Sequence, residues 1–318
     1  MAPAKELPFV TLDVFTTTPF KGNPLAVVTI PAGTSPKPTQ AQKQTIAREF
    51  NLSETVFVHE DHADDKDPSI RHIDIFLTHS EVPFAGHPTI GTAVSLLPQG
   101  VSTLVTKAGP IPLVQLPGAG AGAVVQAAIP HNVHLHRGTL ASLPGDTFLP
   151  GDLSSVPEIR AAELAAPIFS IVRGMNFILV ELPSLDLLAQ VTRSPANFPL
   201  DRLLDSDWQL GFLGRYYFVR LSATPNAVTL RTRMVEASFE DPATGSAACC
   251  LSAYLTVVDT AAAATAPSDR SVRYDITQGV EIGRESNILV HVAAKDGKVD
   301  QVSLAGTAVQ VMRGSVTV

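Results

Sequence analysis

The sequence predicts an α+β protein of two similar domains, each a β-barrel-like rolled sheet around one buried α-helix, the two related by a pseudo-twofold. Three observations carry this. First, His87-Pro88-Thr89-Ile90-Gly91-Thr92-Ala93 and Asp241-Pro242-Ala243-Thr244-Gly245-Ser246-Ala247 share the pattern x-Pro-x-x-Gly-(Thr/Ser)-Ala at a constant offset of 154. A second echo sets Lys21-Gly22-Asn23 against Arg173-Gly174-Met175-Asn176, with an asparagine offset of 153. An offset near half of 318 residues marks a duplicated unit. Second, short β-type runs dominate. Third, the two helices that follow the repeated signatures have no polar face, and such helices are buried on all sides.

In chain order, runs rich in Val, Ile, Phe and Thr predict strands over 10–15, 25–30, 55–59, 73–77, 102–106 and 122–129 in the first half. The second half shows them over 177–182, 216–221, 228–233, 288–293 and 301–311. Helices are expected over 40–50, where Ile46, Ala47 and Phe50 share one side, and more weakly over 154–164. The two apolar helices are read over 89–97, stopped by Pro98, and over 244–258. Residues 130–157 hold several Pro and Gly and repeat nothing, so they read as the join. The domains are therefore placed at 1–135 and 136–318, with the last strand a candidate to cross back to the first domain. Residues 60–67 and 260–271 read as surface insertions.

Composition narrows the function. Hydrophobic residues make up 45% and charged residues 17%, enough for a sizeable core. The net charge of −7, with no basic run, argues against a nucleic-acid partner. No segment reaches the roughly 20 apolar residues of a bilayer span, so no membrane partner is expected. The adjacent cysteines, Cys249 and Cys250, build no disulfide framework, and the first residues lack a leader's apolar core. A cytoplasmic protein is the expectation.

The chemistry concentrates at the repeated helix starts. Gly86, Gly91 and Gly245, flanked by Thr and Ser, suit a tight entry into a helix, where free N–H groups and the helix dipole hold a carboxylate. Alternatively, Thr89 and Thr244 or Ser246 serve only as caps. His87 and Asp241 fall at the same repeat position. There the dipole favours a neutral imidazole and an ionised carboxylate. Asp241-Pro242 also reads as an N-cap followed by Pro at the first helical position. Glu54 stands directly before an apolar strand, and a shift of 154 lands on Trp208, so the duplication is broken there. Apolar surroundings are expected to raise its pKa and let it take and return a proton. Two such helix starts facing each other would form one anion-binding, proton-handling cleft. His131, His134 and His136 are spaced like metal ligands but lack a neighbouring Cys or carboxylate, so no metal site is assigned. Cys249 and Cys250 lie a turn inside a buried helix and read as core residues.

Five segments carry a resemblance. KGNPLAVV (21–28), NLSETVFV (51–58), EVPFAGHPTIGTA (81–93), EDPATGSAA (240–248) and QGVEIGRES (278–286) resemble the PhzF family of phenazine-biosynthesis-like proteins, in the expected order along the chain. The resemblance implies the diaminopimelate epimerase-like fold and a cofactor-free isomerase, similar to trans-2,3-dihydro-3-hydroxyanthranilate isomerase. It implies that Glu54 is the general acid/base, with His87 and Asp241 as further catalytic residues. Gly245 and Ser246 match the helix start that holds a substrate carboxylate, and Asn23, Ser53, Gly86 and Thr244 complete the candidate binding set. A small-molecule carboxylate partner and a homodimer are implied in the same way. The chain departs from the family's pattern at Gly283-Arg284-Glu285-Ser286 and at Thr78-His79. The resemblance thus carries the reaction class further than the particular substrate. An amino-acid racemase or epimerase of the same fold, and a non-catalytic binding or scaffold protein, are the rival readings.

Overall fold

The computed structural model describes residues 6–61, 67–117, 122–235, 239–258 and 269–318. The inserted stretches expected at 60–67 and 260–271 lie largely outside the described residues. The chain divides into two compact units, 1–128 with 304–318, and 129–303.

Unit 1 runs β1 (Glu6–Val14), β2 (Asn23–Ile30), α1 (Gln40–Phe50), β3 (Thr55–His59), β4 (Ile70–Phe76), β5 (Glu81–Val82), α2 (Gly86–Leu96), β6 (Thr103–Thr106), β7 (Gly109–Leu116) and β8 (Val124–Ala128). Unit 2 holds β9 (His134–Leu135), α3 (Pro157–Ala165), β10 (Ile168–Val172), β11 (Met175–Glu181), α4 (Leu185–Ala189), α5 (Leu200–Leu203), β12 (Phe212–Ala223), β13 (Ala227–Val235), β14 (Glu240–Asp241), α6 (Gly245–Val257), β15 (Arg270–Gln278) and β16 (Ser286–Lys295). The strand β17 (Lys298–Gly306) leads back to unit 1, where β18 (Ala308–Thr317) pairs antiparallel along β1. The residues at 134–135 pair with β10 and so belong to unit 2, ahead of the expected boundary at 135/136.

The duplication is written in the strand pairing. In unit 1, β1–β2 is antiparallel, β2–β3 parallel, β3–β4 and β4–β5 antiparallel, β4–β6 parallel and β6–β7 antiparallel. In unit 2, β10 to β16 repeat that series pair for pair. Each sheet wraps a helix with no polar side. Packing against α2 are β1, β2, β3, β8 and β18; against α6 they are β10, β11, β15 and β16. In α6, Ala247, Ala248, Cys249, Cys250 and Leu251 are completely buried. Alternation along β2 shows how one strand serves two layers. Leu25 meets α2 at Gly91, while Val28 and Ile30 face a second cluster with Ile46 and Ala47 of α1. In unit 2 the outer layer is larger, with α3, α4 and α5 supplying Ile159, Leu188 and Leu203.

Six strands fall outside the expected set: the two-residue β5, β9 and β14, and the longer β7, β10 and β15. In β7, Pro110 and Pro112 break a hydrophobic run. The charges of Arg270, Arg273 and Asp275 let β15 read as connecting chain. By contrast β10 is the apolar run Ile168-Phe169-Ser170-Ile171-Val172, as long as β3, and the expected strands leave it out. The single strand expected over 301–311 is two, divided at Thr307, whose carbonyl accepts from the Phe15 N–H at 2.7 Å.

Candidate active site

The structure corrects the register of the repeat. Glu81–Val82 and Glu240–Asp241 are equivalent short strands, each pairing with the end of the preceding long strand. The helices start at Gly86 and Gly245, so the true offset here is 159. The shared motif is Glu-x-Pro-x-x-Gly, at 81–86 and 240–245. The pattern built on Pro88 and Gly91 matches residues already inside α2. His87 and Asp241 are therefore not equivalent: His87 is the second residue of α2, and its counterpart is Ser246. Asp241 ends β14, and its counterpart is Val82. Pro242 consequently precedes α6 and is not its first helical residue. Gly91 is a packing residue. A Cβ there would lie 2.6 Å from both Leu25 Cδ2 and Val14 Cγ2.

Neither repeated helix carries a side-chain cap. The N-cap residues are Ala85 for α2 and Thr244 for α6, and neither side chain bonds the first turn. Thr89 does not cap either; its hydroxyl donates back to the Ala85 carbonyl at 2.7 Å. By contrast α1 begins with a complete capping box of Thr39 and Gln42. A helix start leaves its first N–H groups without intrahelical acceptors. An uncapped start in each unit, at Gly86-His87 and at Gly245-Ser246, therefore offers donors and partial positive charge to an anion.

In unit 1 the α2 start meets Glu54. His87 Nδ1 lies 3.2 Å from Glu54 Oε2, with the side chains 4% and 16% exposed. The His87 contact is an ion-pair approach, and Glu54 Oε2 accepts no well-aligned hydrogen bond among the described residues. Burial pushes the Glu54 carboxyl up, but the neighbouring His87 and, behind it, Ser53 together hold it below its ordinary value. This reverses the expected direction. The sequence shows the apolar strand that follows Glu54; it does not show the imidazole that the fold delivers from 33 positions downstream. Asn23, 2% exposed, opens β2 opposite Val14.

In unit 2 the α6 start is held by uncharged groups. Gln278, fully buried at the end of β15, is the hub. Its Nε2 donates to the Asp241 carbonyl at 2.8 Å and to the Thr244 hydroxyl at 3.0 Å. Its Oε1 accepts from the Thr244 N–H at 3.2 Å and from the Tyr216 hydroxyl at 3.0 Å. The Thr244 hydroxyl in turn donates to Asp241 Oδ2 at 2.6 Å. Thr244 thus spends its polar groups inside the unit and positions Asp241, where a ligand contact was expected. Gly279, at φ +75°, lets the chain pass the Pro242 backbone: a Cβ would lie 2.6 Å from its carbonyl oxygen. Gln278 was missed because a lone Gln at a strand end carries no signal of its own, although it opens the QGVEIGRES segment.

The cysteines are core residues of α6. Both are completely buried, their thiols are pushed well up by that burial, and the Cys250 thiol donates to the Phe169 carbonyl at 3.2 Å. His134, His136 and Asp205 do come together, with ligand atoms within 4.8 Å. Their atoms are already engaged. His134 Nε2 lies 2.7 Å from Asp205 Oδ2, His136 Nδ1 accepts from the Asp205 N–H at 3.1 Å, and His136 Nε2 meets Ser170 Oγ at 2.8 Å. Burial first, and His134 second, lower His136 to about 4, which keeps this hydrogen-bonded imidazole neutral.

Two similar units, each a sheet rolled around a central helix that starts without a side-chain cap, define the class to which the chain belongs. Residues 12–314 match the phenazine biosynthesis-like protein family, PhzC-PhzF, and the chain is a member of it. It is 31% identical to an uncharacterized isomerase of Mesorhizobium japonicum, over 96% of each chain. It is 30% identical to a trans-2,3-dihydro-3-hydroxyanthranilate isomerase of Pseudomonas fluorescens, over 97% of this chain and 98% of that one. Among solved structures, a PhzF-family phenazine biosynthesis protein of Bacillus anthracis superposes with a TM-score of 0.70 at 22% identity, covering 99% of this chain and all of that one. A hydroxyproline epimerase of Agrobacterium vitis shares the fold at a TM-score of 0.57 and 15% identity, over all of this chain and 93% of that one. The chain is an isomerase of the PhzF type. Among the described residues, no helix is long and apolar enough to cross a membrane.

Proposed function

We propose that the chain moves a proton between two carbons of a small carboxylated, cyclic or conjugated substrate, without a cofactor, with Glu54 as the general acid/base. The observation that carries this reading is the Glu54–His87 pair at the uncapped start of α2, 3.2 Å apart and largely buried. Glu54, held below its ordinary value, is a carboxylate at neutral pH and ready to accept. It takes a proton from an activated C–H; the bonding pair left behind spreads into the conjugated system. The carboxylic acid formed then returns the proton to a second carbon. Atoms and electrons balance, and no redox partner is needed. A weakly basic carboxylate becomes a strong acid once loaded, which favours the return step.

His87 steadies the charge on Glu54 and, with Asp241, orients the substrate. The Gly245-Ser246 start of α6 supplies N–H donors for the substrate carboxylate, with Asn23, Ser53 and Gly86 as further contacts. Fixed donors aimed at developing charge contribute more than a single proton transfer. The Pseudomonas relatives named as trans-2,3-dihydro-3-hydroxyanthranilate isomerases support this reaction class. Racemisation by a cysteine pair is disfavoured, because Cys249 and Cys250 are completely buried with their thiols pushed up.

The test is turnover of a panel of small cyclic and conjugated carboxylates, including trans-2,3-dihydro-3-hydroxyanthranilate, by the natural protein and by Glu54→Gln. Expected is an isomer of unchanged mass from at least one member, lost in the variant. A variant that keeps most of the activity overturns the assignment of the base.

A further inference from the structure

We propose that Tyr216 and Thr232 are positioning residues for Asp241, an inference that rests on the reading of Asp241 as a group that orients the substrate. The two start a one-way chain of hydrogen bonds that runs through Gln278 and Thr244 and ends on the Asp241 carboxylate. Tyr216, Thr232 and Gln278 are completely buried, so they act through Asp241 and not on a ligand.

The direction of the chain follows from what each group can give. Two main-chain partners fix the Gln278 amide. The Asp241 carbonyl can only accept, so Nε2 faces it at 2.8 Å; the Thr244 N–H can only donate, so Oε1 faces it at 3.2 Å. The second Nε2 proton goes to the Thr244 hydroxyl at 3.0 Å. That hydroxyl gives its own single proton to Asp241 Oδ2 at 2.6 Å. On the other side, Tyr216 Oη stands 3.0 Å from Gln278 Oε1, which only accepts, so the phenol proton is committed there. Thr232 Oγ1, 2.9 Å from the same phenol oxygen, is then the donor of that pair. Protons therefore point from Thr232 through Tyr216, Gln278 and Thr244 to Asp241. Each bonded acceptor becomes a better donor to the next link, so the far end of the chain strengthens the hold on Oδ2.

Unit 1 supplies an internal control. The strand registers make Val56 the counterpart of Tyr216, Ile73 that of Thr232, and Thr106 that of Gln278. The N-cap Ala85 corresponds to Thr244, and Val82 to Asp241. Val56 and Ile73 are buried core residues, and the Thr106 hydroxyl donates within its own turn, to the Gly109 carbonyl at 3.2 Å. The same positions of the fold thus pack without a polar chain. Apolar groups of similar shape can replace a buried hydrogen-bonded pair at little cost, so packing alone does not call for these hydroxyls. Polar side chains fill all five positions in the unit that carries Asp241, and only Thr106 is polar in the other. The chain therefore goes with the carboxylate at its end.

Two measurements test this, one of them without substrate. The first is a double-mutant cycle on urea unfolding of the full chain, with Tyr216→Phe, Asp241→Ala and the pair. Expected is a coupling of about threefold or more in the unfolding constant, the mark of groups in one network. Additive effects overturn the proposal, whether or not any carboxylate is turned over. The second is KM and kcat for a member of the substrate panel. Tyr216→Phe is expected to raise KM about fivefold or more with kcat within about twofold. Thr232→Val should raise KM less, and Thr232→Ser, which keeps the hydroxyl, should restore the natural value. Thr232→Val should also melt close to the natural protein, since Ile73 fills that position in unit 1. A loss of stability with unchanged KM, the behaviour of a purely structural hydroxyl, overturns the proposal. Failure of the whole panel counts against the proton shuttle, and the unfolding cycle alone then decides the chain.

Discussion

The two units begin their buried helices in the same way and equip those beginnings differently. In unit 1 the second helical residue is His87, 3.2 Å from a carboxylate. In unit 2 it is Ser246, and the nearby Asp241 receives the Thr244 hydroxyl on its carboxylate and the Gln278 amide on its main-chain carbonyl. One start carries an ionisable pair that can trade a proton; the other carries a neutral hydrogen-bonded frame around a fixed charge. A duplicated fold supplies two uncapped helix starts, and divergence at a few positions gives one an ionisable pair and the other a neutral frame. The shared Glu-x-Pro-x-x-Gly entry is the common scaffold.

The comparison can be broken most severely at Glu54. Glu54→Gln is expected to lower kcat by ~10²–10⁴-fold with little change in melting temperature, the usual scale of a general acid/base. A comparable loss from Ser246→Ala would erase the division of labour. Next comes His87→Asn. With the imidazole gone, burial is the remaining strong influence on Glu54, so its pKa rises. The base form is then lost at a higher pH, and the acid limb of kcat/KM, expected below the ordinary Glu value of 4.5 in the natural protein, should move upward. The stability link has the matching sign. A lowered folded pKa stabilises above the unfolded value, and that contribution is lost as pH falls through the folded one. Acid unfolding should therefore show a smaller Glu54 contribution in His87→Asn.

On the unit 2 side, Gln278→Leu removes the partner of four groups: the Thr244 N–H and hydroxyl, the Asp241 carbonyl and the Tyr216 hydroxyl. We expect ~2–4 kcal/mol of lost stability by urea unfolding, because buried polar groups are left unmet. We also expect a rise in KM larger than the fall in kcat. The smallest effect is expected at Gly91→Ala, where a methyl must displace Leu25 and Val14 at about 1–3 kcal/mol. Turnover per folded molecule should survive it, since the neighbours of Gly91 are the core side chains Leu25 and Val14.

Much of the architecture was legible in the chain. The charge-free stretches after the two signatures did become the buried helices α2 and α6, because a helix without a polar face has nowhere else to go. The position of Glu54 at the entry to β3 followed from its apolar neighbours. The repeat register did not. Pro-x-x-Gly occurs at 83–86 and again at 88–91, and only the paired short strands reveal that the first of these is the helix entry. The direction of the Glu54 shift also depended on a partner remote in sequence. Gln278 was invisible because its importance lies in four hydrogen bonds, all to residues at least 34 positions away. Local pattern reports burial and helix ends; it does not report which side chains the sheet brings to them.

The most direct measurement is solvent isotope exchange. Substrate is incubated in deuterated water with Glu54→Gln and, separately, with Asp241→Asn, and the reacting C–H is followed by NMR. Expected is no exchange with Glu54→Gln, and exchange with Asp241→Asn that persists at a higher substrate requirement. Exchange at the natural rate with Glu54→Gln would contradict the assignment of proton transfer to unit 1.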